Sequence, residues 1–260
     1  MEKNIKSEPK MIVVIGGKAI GKTHETLKFI SQYISPFGKE NKVLIFDVNE
    51  EFSNERLESM GVSFKTNLLD VKDIETYSNQ NRVEVRRVMA RDENGNRLSF
   101  EGKIELLNKI LYDFKDGLLI LEDYSSYVFG ASRTGIINQI FTNRHRNLDV
   151  IIHLQSYSNL TPRMIQNCDI MRLHRCVDMV KRVEARLPNP EIHLISESLI
   201  NFKYRESKRF MTYIDMGNSK ISGDFTKEEY TTACSTYMEE NKHKMRNRGI
   251  ENLMDYYGNN

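Results

Sequence analysis

The chain has 260 residues, with 38 Lys or Arg against 36 Asp or Glu, a formal charge of +2, 39% hydrophobic and 28% charged residues. That mixture excludes wholesale disorder, and no apolar run approaches the roughly 18–20 residues that span a bilayer. Three cysteines (Cys168, Cys176, Cys234) without a CxxC spacing exclude a disulfide framework and a structural zinc site and suit a reducing, cytoplasmic setting.

The near-zero net charge identifies no polyanionic partner, so any nucleic-acid contact must rest on local charge. No Pro/Gly/Ser-rich linker divides the chain. The expected organisation is a polar N-terminal extension over 1–10, unlike a secretory leader, a single domain over 11–225, and a C-terminal helix with a basic tail over 226–260. Met11 to Ile15 (MIVVI) is a short apolar run bounded by Gly16 and Gly17, as in a strand buried on both faces. Lys22 to Ser35 follows with Leu27, Ile30 and Ile34 at helical spacing. Lys42 to Phe46 (KVLIF) predicts a second buried strand ending at Asp47, and Val83 to Met89 alternates as a half-exposed strand before an Asn94-Gly95 turn.

Gly102 to Asp116 carries Ile104, Leu107, Ile110, Leu111 and Phe114 on one helical stripe, with Gly117 as its stop. Leu118 to Leu121 (LLIL) predicts a third buried strand, Thr134 to Asn143 a helix, and Asp149 to Leu154 a fourth strand ending at Gln155. Asp169–His174 and Arg209–Asp215 complete the expected strands, and Glu228–Glu240 is the last helix. Strands alternating with helices predict an α/β fold built on a mainly parallel sheet with helices on both faces.

Gly16-Gly17-Lys18-Ala19-Ile20-Gly21-Lys22-Thr23 matches GxxxxGK[ST], between a buried strand and an amphipathic helix. Such a loop wraps a polyphosphate with successive backbone N–H groups, and the helix that follows aims its positive end at the phosphates. Residues Gly16 to His24 are therefore the expected ATP-binding segment. Lys22 would reach the β- and γ-phosphates, and the Thr23 hydroxyl would ligate Mg2+.

Glu122-Asp123 after LLIL reads as a Walker B strand end, with one carboxylate for hydrated Mg2+ and a second to orient the attacking water. By position Glu122 serves the metal and Asp123 the water, in the reverse of the usual Asp-Glu order. The two adjacent acids can take different roles only if the strand ends there. Asp47 and Glu50, beyond the second strand, are placed near the nucleotide and offer an alternative water-orienting acid. Gln155 at a strand end suits a γ-phosphate sensor. Arg144 and Arg146, just before that strand, are placed to reach a neighbouring subunit's site as an arginine finger. From Arg133 to Arg186 there are nine Lys or Arg and four Asp or Glu, a local excess that could face phosphates in a channel, a solvated face or a subunit contact. His145, His153 and His174 lack the spacing of a zinc helix.

The order of these motifs resembles the FtsK–HerA superfamily of ring ATPases: phosphate loop, second strand with Asp47 and Glu50-Glu51-Phe52, LLIL-Glu122-Asp123, then RHRNLDVIIHLQS. The stretch from Arg144-His145-Arg146 to Gln155 is similar to the Zot-like and viral genome-packaging branch, with Leu154 before Gln155 and the Glu122-Asp123 order as departures. The resemblance spans about residues 10 to 225, weakly beyond about 175. It implies a RecA-like core, ATP with Mg2+, a hexameric or pentameric ring, and DNA moved through backbone contacts, with a portal or capsid-vertex protein as a possible partner and the host cytoplasm or virion as the setting. Zot proteins carry a membrane anchor and this chain shows none, so a packaging motor or free DNA translocase is expected. A nucleotide-dependent switch or assembly factor without processive translocation is the alternative from another class. A small-molecule kinase is a third, disfavoured by the lack of an obvious lid segment.

Overall fold

A computed structural model describes residues 8–35, 42–80, 82–128, 139–140 and 142–242. Two compact units divide the chain, one from residues 1–12 and 23–153, the other from 13–22 and 154–260. Strands β1 (Met11–Ile15) and β6 (Leu148–Leu154) pass from one unit to the other along the chain.

The first unit holds β2 (Lys42–Asp47), β3 (Asn67–Leu68), β4 (Val85–Met89) and β5 (Gly117–Leu121), which with β6 run in the order β3-β4-β2-β5-β6, all parallel. Every residue of β2 and β5 is buried, as continuous apolar runs in a parallel sheet require. The β2–β5 register pairs Phe46 with Leu121, so Asp47 and Glu122 emerge at the same level from neighbouring strand ends. The unit's helices are α1 (Lys22–Tyr33, with Lys22 itself in the other unit), α2 (Asn54–Ser59), α3 (Ile74–Asn79) and α4 (Phe100–Asp113).

Helix α4 begins at Ser99, whose hydroxyl accepts from the Gly102 N–H at 3.1 Å, and it buries Leu106, Leu107, Ile110 and Leu111. It ends at Asp113, three residues earlier than the apolar stripe predicts. Phe114 is already extended and buried, and Gly117 opens β5 instead of stopping the helix.

In the second unit the order is β1-β7-β8-β9, with β8 (Met211–Asp215) antiparallel to both of its neighbours, β7 (Ile170–His174) and β9 (Lys220–Gly223). Its helices are α5 (Pro162–Asn167), α6 (Pro190–Lys203) and α7 (Lys227–Glu240). Helix α7 starts with a reciprocal capping box between Thr226 and Glu229. Helix α6 is absent from the sequence expectation, although Pro190 at its first turn and buried Ile192, Ile195 and Leu199 carry a helical signal. The fold is the expected one, an α/β RecA-like P-loop NTPase with mostly parallel strands, with the antiparallel β7-β8-β9 run as an addition. Most of the helix expected over Thr134–Asn143 lies outside the described residues; Gln139 and Ile140 are helical.

Asp47 has no exposure and closes the turn after β2. Its carboxylate accepts from the Glu51 N–H at 2.8 Å, the Phe52 N–H at 3.1 Å and Arg87 Nη1 at 3.2 Å. Burial pushes its pKa up, and those three donors oppose the shift. Arg87→Ala would leave this carboxylate without its cation. The expected loss is about 3 kcal/mol in urea unfolding, partly recovered by adding Asp47→Asn.

Candidate functional site

The phosphate loop belongs to the second unit up to Lys22. It leaves β1 at Gly16, whose N–H donates to the Leu154 carbonyl at 3.1 Å, while the Gly17 N–H donates to the Arg175 carbonyl at 2.9 Å. A Cβ on Gly16 would fall 2.2 Å from Ile20 Cδ1 and 2.7 Å from His174 Cβ, so only glycine fits there. Gly21 has φ +96 and lies under the Arg209 side chain, whose carbons would stand 3.1–3.5 Å from an added Cβ. Ala19 also takes a left-handed conformation, φ +58, at a position where a side chain costs strain. Lys18 and Ala19 are exposed and Ile20 is buried, so Ile20 anchors the loop.

The Lys22 ammonium donates to the carbonyls of Gly16 and Gly17, both at 2.5 Å. These oxygens occupy the donors that a nucleotide's phosphate oxygens would take. The Lys22 carbonyl accepts from Arg172 Nη2 at 3.0 Å; Arg172 is buried on β7, so it supports the loop from beneath. His174, two residues on, is also buried. Desolvation holds its pKa well below the usual histidine range, and Arg172 and Lys22 add like-charge repulsion.

Thr23 follows Lys22 directly and begins the first unit's share of α1; His24 beside it is half-buried. The Thr23 hydroxyl donates to Glu51 Oε2 at 2.6 Å. Strand β5 ends at Leu121, as the separate roles of Glu122 and Asp123 require, and Asp123 turns the chain with φ +44. Asn49 Nδ2 lies 3.1 and 3.0 Å from the two Glu122 oxygens and 3.2 Å from Asp123 Oδ2. Burial pushes the Glu122 carboxyl up to about 8, opposed by the Asn49 hydrogen bond and reinforced by the charges of Asp123, Glu51 and Asp47. Glu50, with φ +59, is ion-paired to Arg91, whose Nε donates at 2.8 Å.

Gln155 follows Leu154, the residue that binds Gly16, and is half-buried. The loop after it is pinned by Asp178, which accepts from Ser156 Oγ at 2.5 Å, the Ser158 N–H at 3.0 Å and the Tyr157 N–H at 3.3 Å. Arg144 lies in a 3-10 turn over Asn143–Arg146, and its side chain is outside the described residues. Arg146 is half-buried and donates to the Tyr112 carbonyl near the end of α4. Of the basic stretch, Arg133 lies outside the described residues, Arg172 is buried, and Arg163, Arg175, Lys181, Arg182 and Arg186 are exposed. The tail beyond Lys242 lies outside the described residues.

Two site residues escape the motif reading. Asn49 carries no motif of its own, and Glu51 sits beside Glu50, the residue favoured by position. Only the path of the loop after β2 decides which of them faces the acids or Thr23.

The Thr23 hydroxyl with Glu51, and Glu122 with Asp123, are two sets of oxygen donors of the kind a hard cation such as Mg2+ takes. Among the described residues, no group of three or more His, Cys, Asp or Glu forms a self-contained metal cage. Among the described residues, no helix is long and apolar enough to cross a membrane.

No family model matches the chain, and no curated protein matches it. Solved structures do. The genome packaging NTPase B204 from Sulfolobus turreted icosahedral virus 2, in complex with AMP, aligns with a TM-score of 0.53 at 16% identity, covering 83% of this chain and 96% of that one. The DNA-packaging ATPase B204 from Sulfolobus turreted icosahedral virus aligns with a TM-score of 0.51 at 18% identity, covering 83% and 97%. This chain shares their fold.

Burial pushes the Glu122 carboxyl from the ordinary glutamate value of 4.5 up to about 8. Between those values the folded chain keeps a proton that the unfolded chain has released, so folding stability falls as pH rises through that window and levels off above it. Without Mg2+, Glu122→Gln is expected to melt above wild type at pH 8.5, with the gap closing toward pH 5. Parallel melting curves across that range would contradict the burial of this acid.

Proposed function

We propose that the chain is a Mg2+-dependent ATPase that moves DNA, acting as one subunit of a ring-forming genome-packaging or translocating motor. The observation that carries this reading is the presence in one chain of a complete phosphate loop and of an acid pair at the end of β5. The fold shared with viral packaging NTPases supports it.

In this reading Lys22 exchanges the Gly16 and Gly17 carbonyls for the β- and γ-phosphate oxygens. Loop N–H groups over Lys18–Lys22, with Thr23 and His24 at the start of α1, hold the rest of the polyphosphate. Bound Mg2+ would neutralise charge developing between the β- and γ-phosphates. Thr23 and Glu122 hold it, Asp123 orients the attacking water, and Gln155 senses the γ-phosphate through its amide. Arg144 or Arg146 completes a neighbouring subunit's site in trans; for Arg146 this requires leaving the Tyr112 carbonyl. The exposed cations Arg163, Lys181, Arg182 and Arg186 suit contacts to DNA phosphates with little sequence preference.

A second reading, a nucleotide-dependent assembly switch without processive movement, is favoured by one observation. Both acids and the Thr23 hydroxyl are engaged by Asn49 and Glu51.

The experiment is ATP turnover with and without double-stranded DNA, with particle mass measured by light scattering in the same samples. The motor reading expects ring-sized particles, at least about fivefold stimulation by DNA, and loss of nucleotide binding in Lys22→Ala. Lys22-dependent ATP binding with no response to DNA in any oligomeric state would select the switch.

A further inference from the structure

Strands β7 and β8 pair His174 with Met211, so Arg175, just after β7, and Arg209, just before β8, sit at adjoining strand ends. Both meet the phosphate loop. The Arg175 carbonyl accepts from the Gly17 N–H at 2.9 Å, and the Arg209 stem covers Gly21. The two arginines are used differently. Arg209 presents its aliphatic carbons to the loop. Arg175 turns its guanidinium onto Tyr204, with the central carbon 3.9 Å from the ring centroid. Two carbons in van der Waals contact lie about 3.5–4.0 Å apart, so the guanidinium rests flat on the ring.

Tyr204 is held in place. It closes α6, its N–H donating to the Ile200 carbonyl at 2.9 Å, and the turn onward to β8 is held by the Glu206, Ser207 and Phe210 N–H groups. The tyrosine is half-buried and Arg175 is exposed, so the guanidinium has one face on Tyr204 and the other toward solvent. An arginine plane backed by an aromatic ring is a surface on which a nucleobase stacks. The Gly17 tie fixes that surface to the phosphate loop, so the base delivered to it is the one carried by a nucleotide in the loop.

We propose that Arg175 and Tyr204 form a stacking shelf for the base of the bound nucleotide, with Arg175 as the layer that touches it. The inference rests on the ATPase reading above and adds a subsite that the phosphate loop itself does not contain. A stack reads the π-face that every base presents and leaves the hydrogen-bonding edge unread. The shelf therefore adds affinity without choosing between adenine and guanine.

The test is calorimetric titration of wild type, Arg175→Lys and Tyr204→Leu, in Mg2+, with a non-hydrolysable ATP analogue, the matching GTP analogue and inorganic tripolyphosphate. Arg175→Lys keeps the charge and loses the plane. Wild type should bind the ATP analogue at least about tenfold more tightly than tripolyphosphate. Each variant should weaken both nucleotides at least about fivefold, by the same factor within about twofold, and leave tripolyphosphate within about twofold of wild type. An equal loss of tripolyphosphate affinity would make Arg175 a prop for the loop through Gly17 and overturn the shelf. Unchanged nucleotide affinity in Arg175→Lys would overturn it too, and that variant, at an exposed position, decides the matter where Tyr204→Leu fails to fold. Wild type that binds tripolyphosphate as tightly as nucleotide would overturn the shelf and leave the phosphate site standing. Wild type that binds none of these ligands overturns the ATPase reading, and the shelf with it.

Discussion

Burial pushes the pKa of Glu122 up, the charges of Asp123, Glu51 and Asp47 add to that shift, and the organisation around these four carboxylates of the first unit answers both costs. Gathering like charges in a poorly hydrated place is unfavourable unless each finds a donor or a proton. Asp47 takes two backbone N–H groups and Arg87, Glu51 takes the Thr23 hydroxyl, and Asn49 lies between Glu122 and Asp123. Such an arrangement is poised for a divalent cation, which would supply the missing positive charge in one step.

The phosphate loop meets the converse constraint. It must keep a lysine ammonium and a turn of backbone donors together, and the ammonium turns back onto the loop's own carbonyls. Gly16 is held to Leu154, the last residue of β6, and Gly17 to Arg175, while Ile20 is buried against Gly16, so the loop's shape is set before any ligand enters. A preformed loop lowers the ordering cost of binding. Arg172, counted in the sequence within a basic stretch suited to polyanions, is buried under the loop and serves its geometry instead.

Strands β1, β2, β5 and β6 were legible within about a residue, because buried parallel strands are continuous apolar runs and little else in a sequence resembles them. The phosphate loop was legible because its chemistry dictates residue types at fixed spacing. Helix α6 was overlooked: its buried face mixes Glu191, His193 and Ser196 with the aliphatic residues, and that blurs the apolar stripe. The roles of Asn49 and Glu51 were illegible for a different reason. A loop's path depends on tertiary anchors such as Asp47 and Arg87, which no local periodicity records. The antiparallel β9 strand is four residues long with one buried side chain, too weak a pattern to read.

The two halves of the chemistry are linked through the peptide bond between Lys22 and Thr23. If the chain is a P-loop ATPase, the ligand must draw Lys22 off its carbonyls, while Thr23 can keep donating to Glu51, because a hydroxyl that donates one hydrogen bond keeps its lone pairs for a metal. The most direct test is a high-resolution structure with Mg2+ and a non-hydrolysable ATP analogue. The account predicts Lys22 Nζ on phosphate oxygens and Thr23 Oγ1 on the metal. An analogue bound elsewhere, with Lys22 still on the Gly16 and Gly17 carbonyls and Thr23 Oγ1 away from the metal, would contradict it.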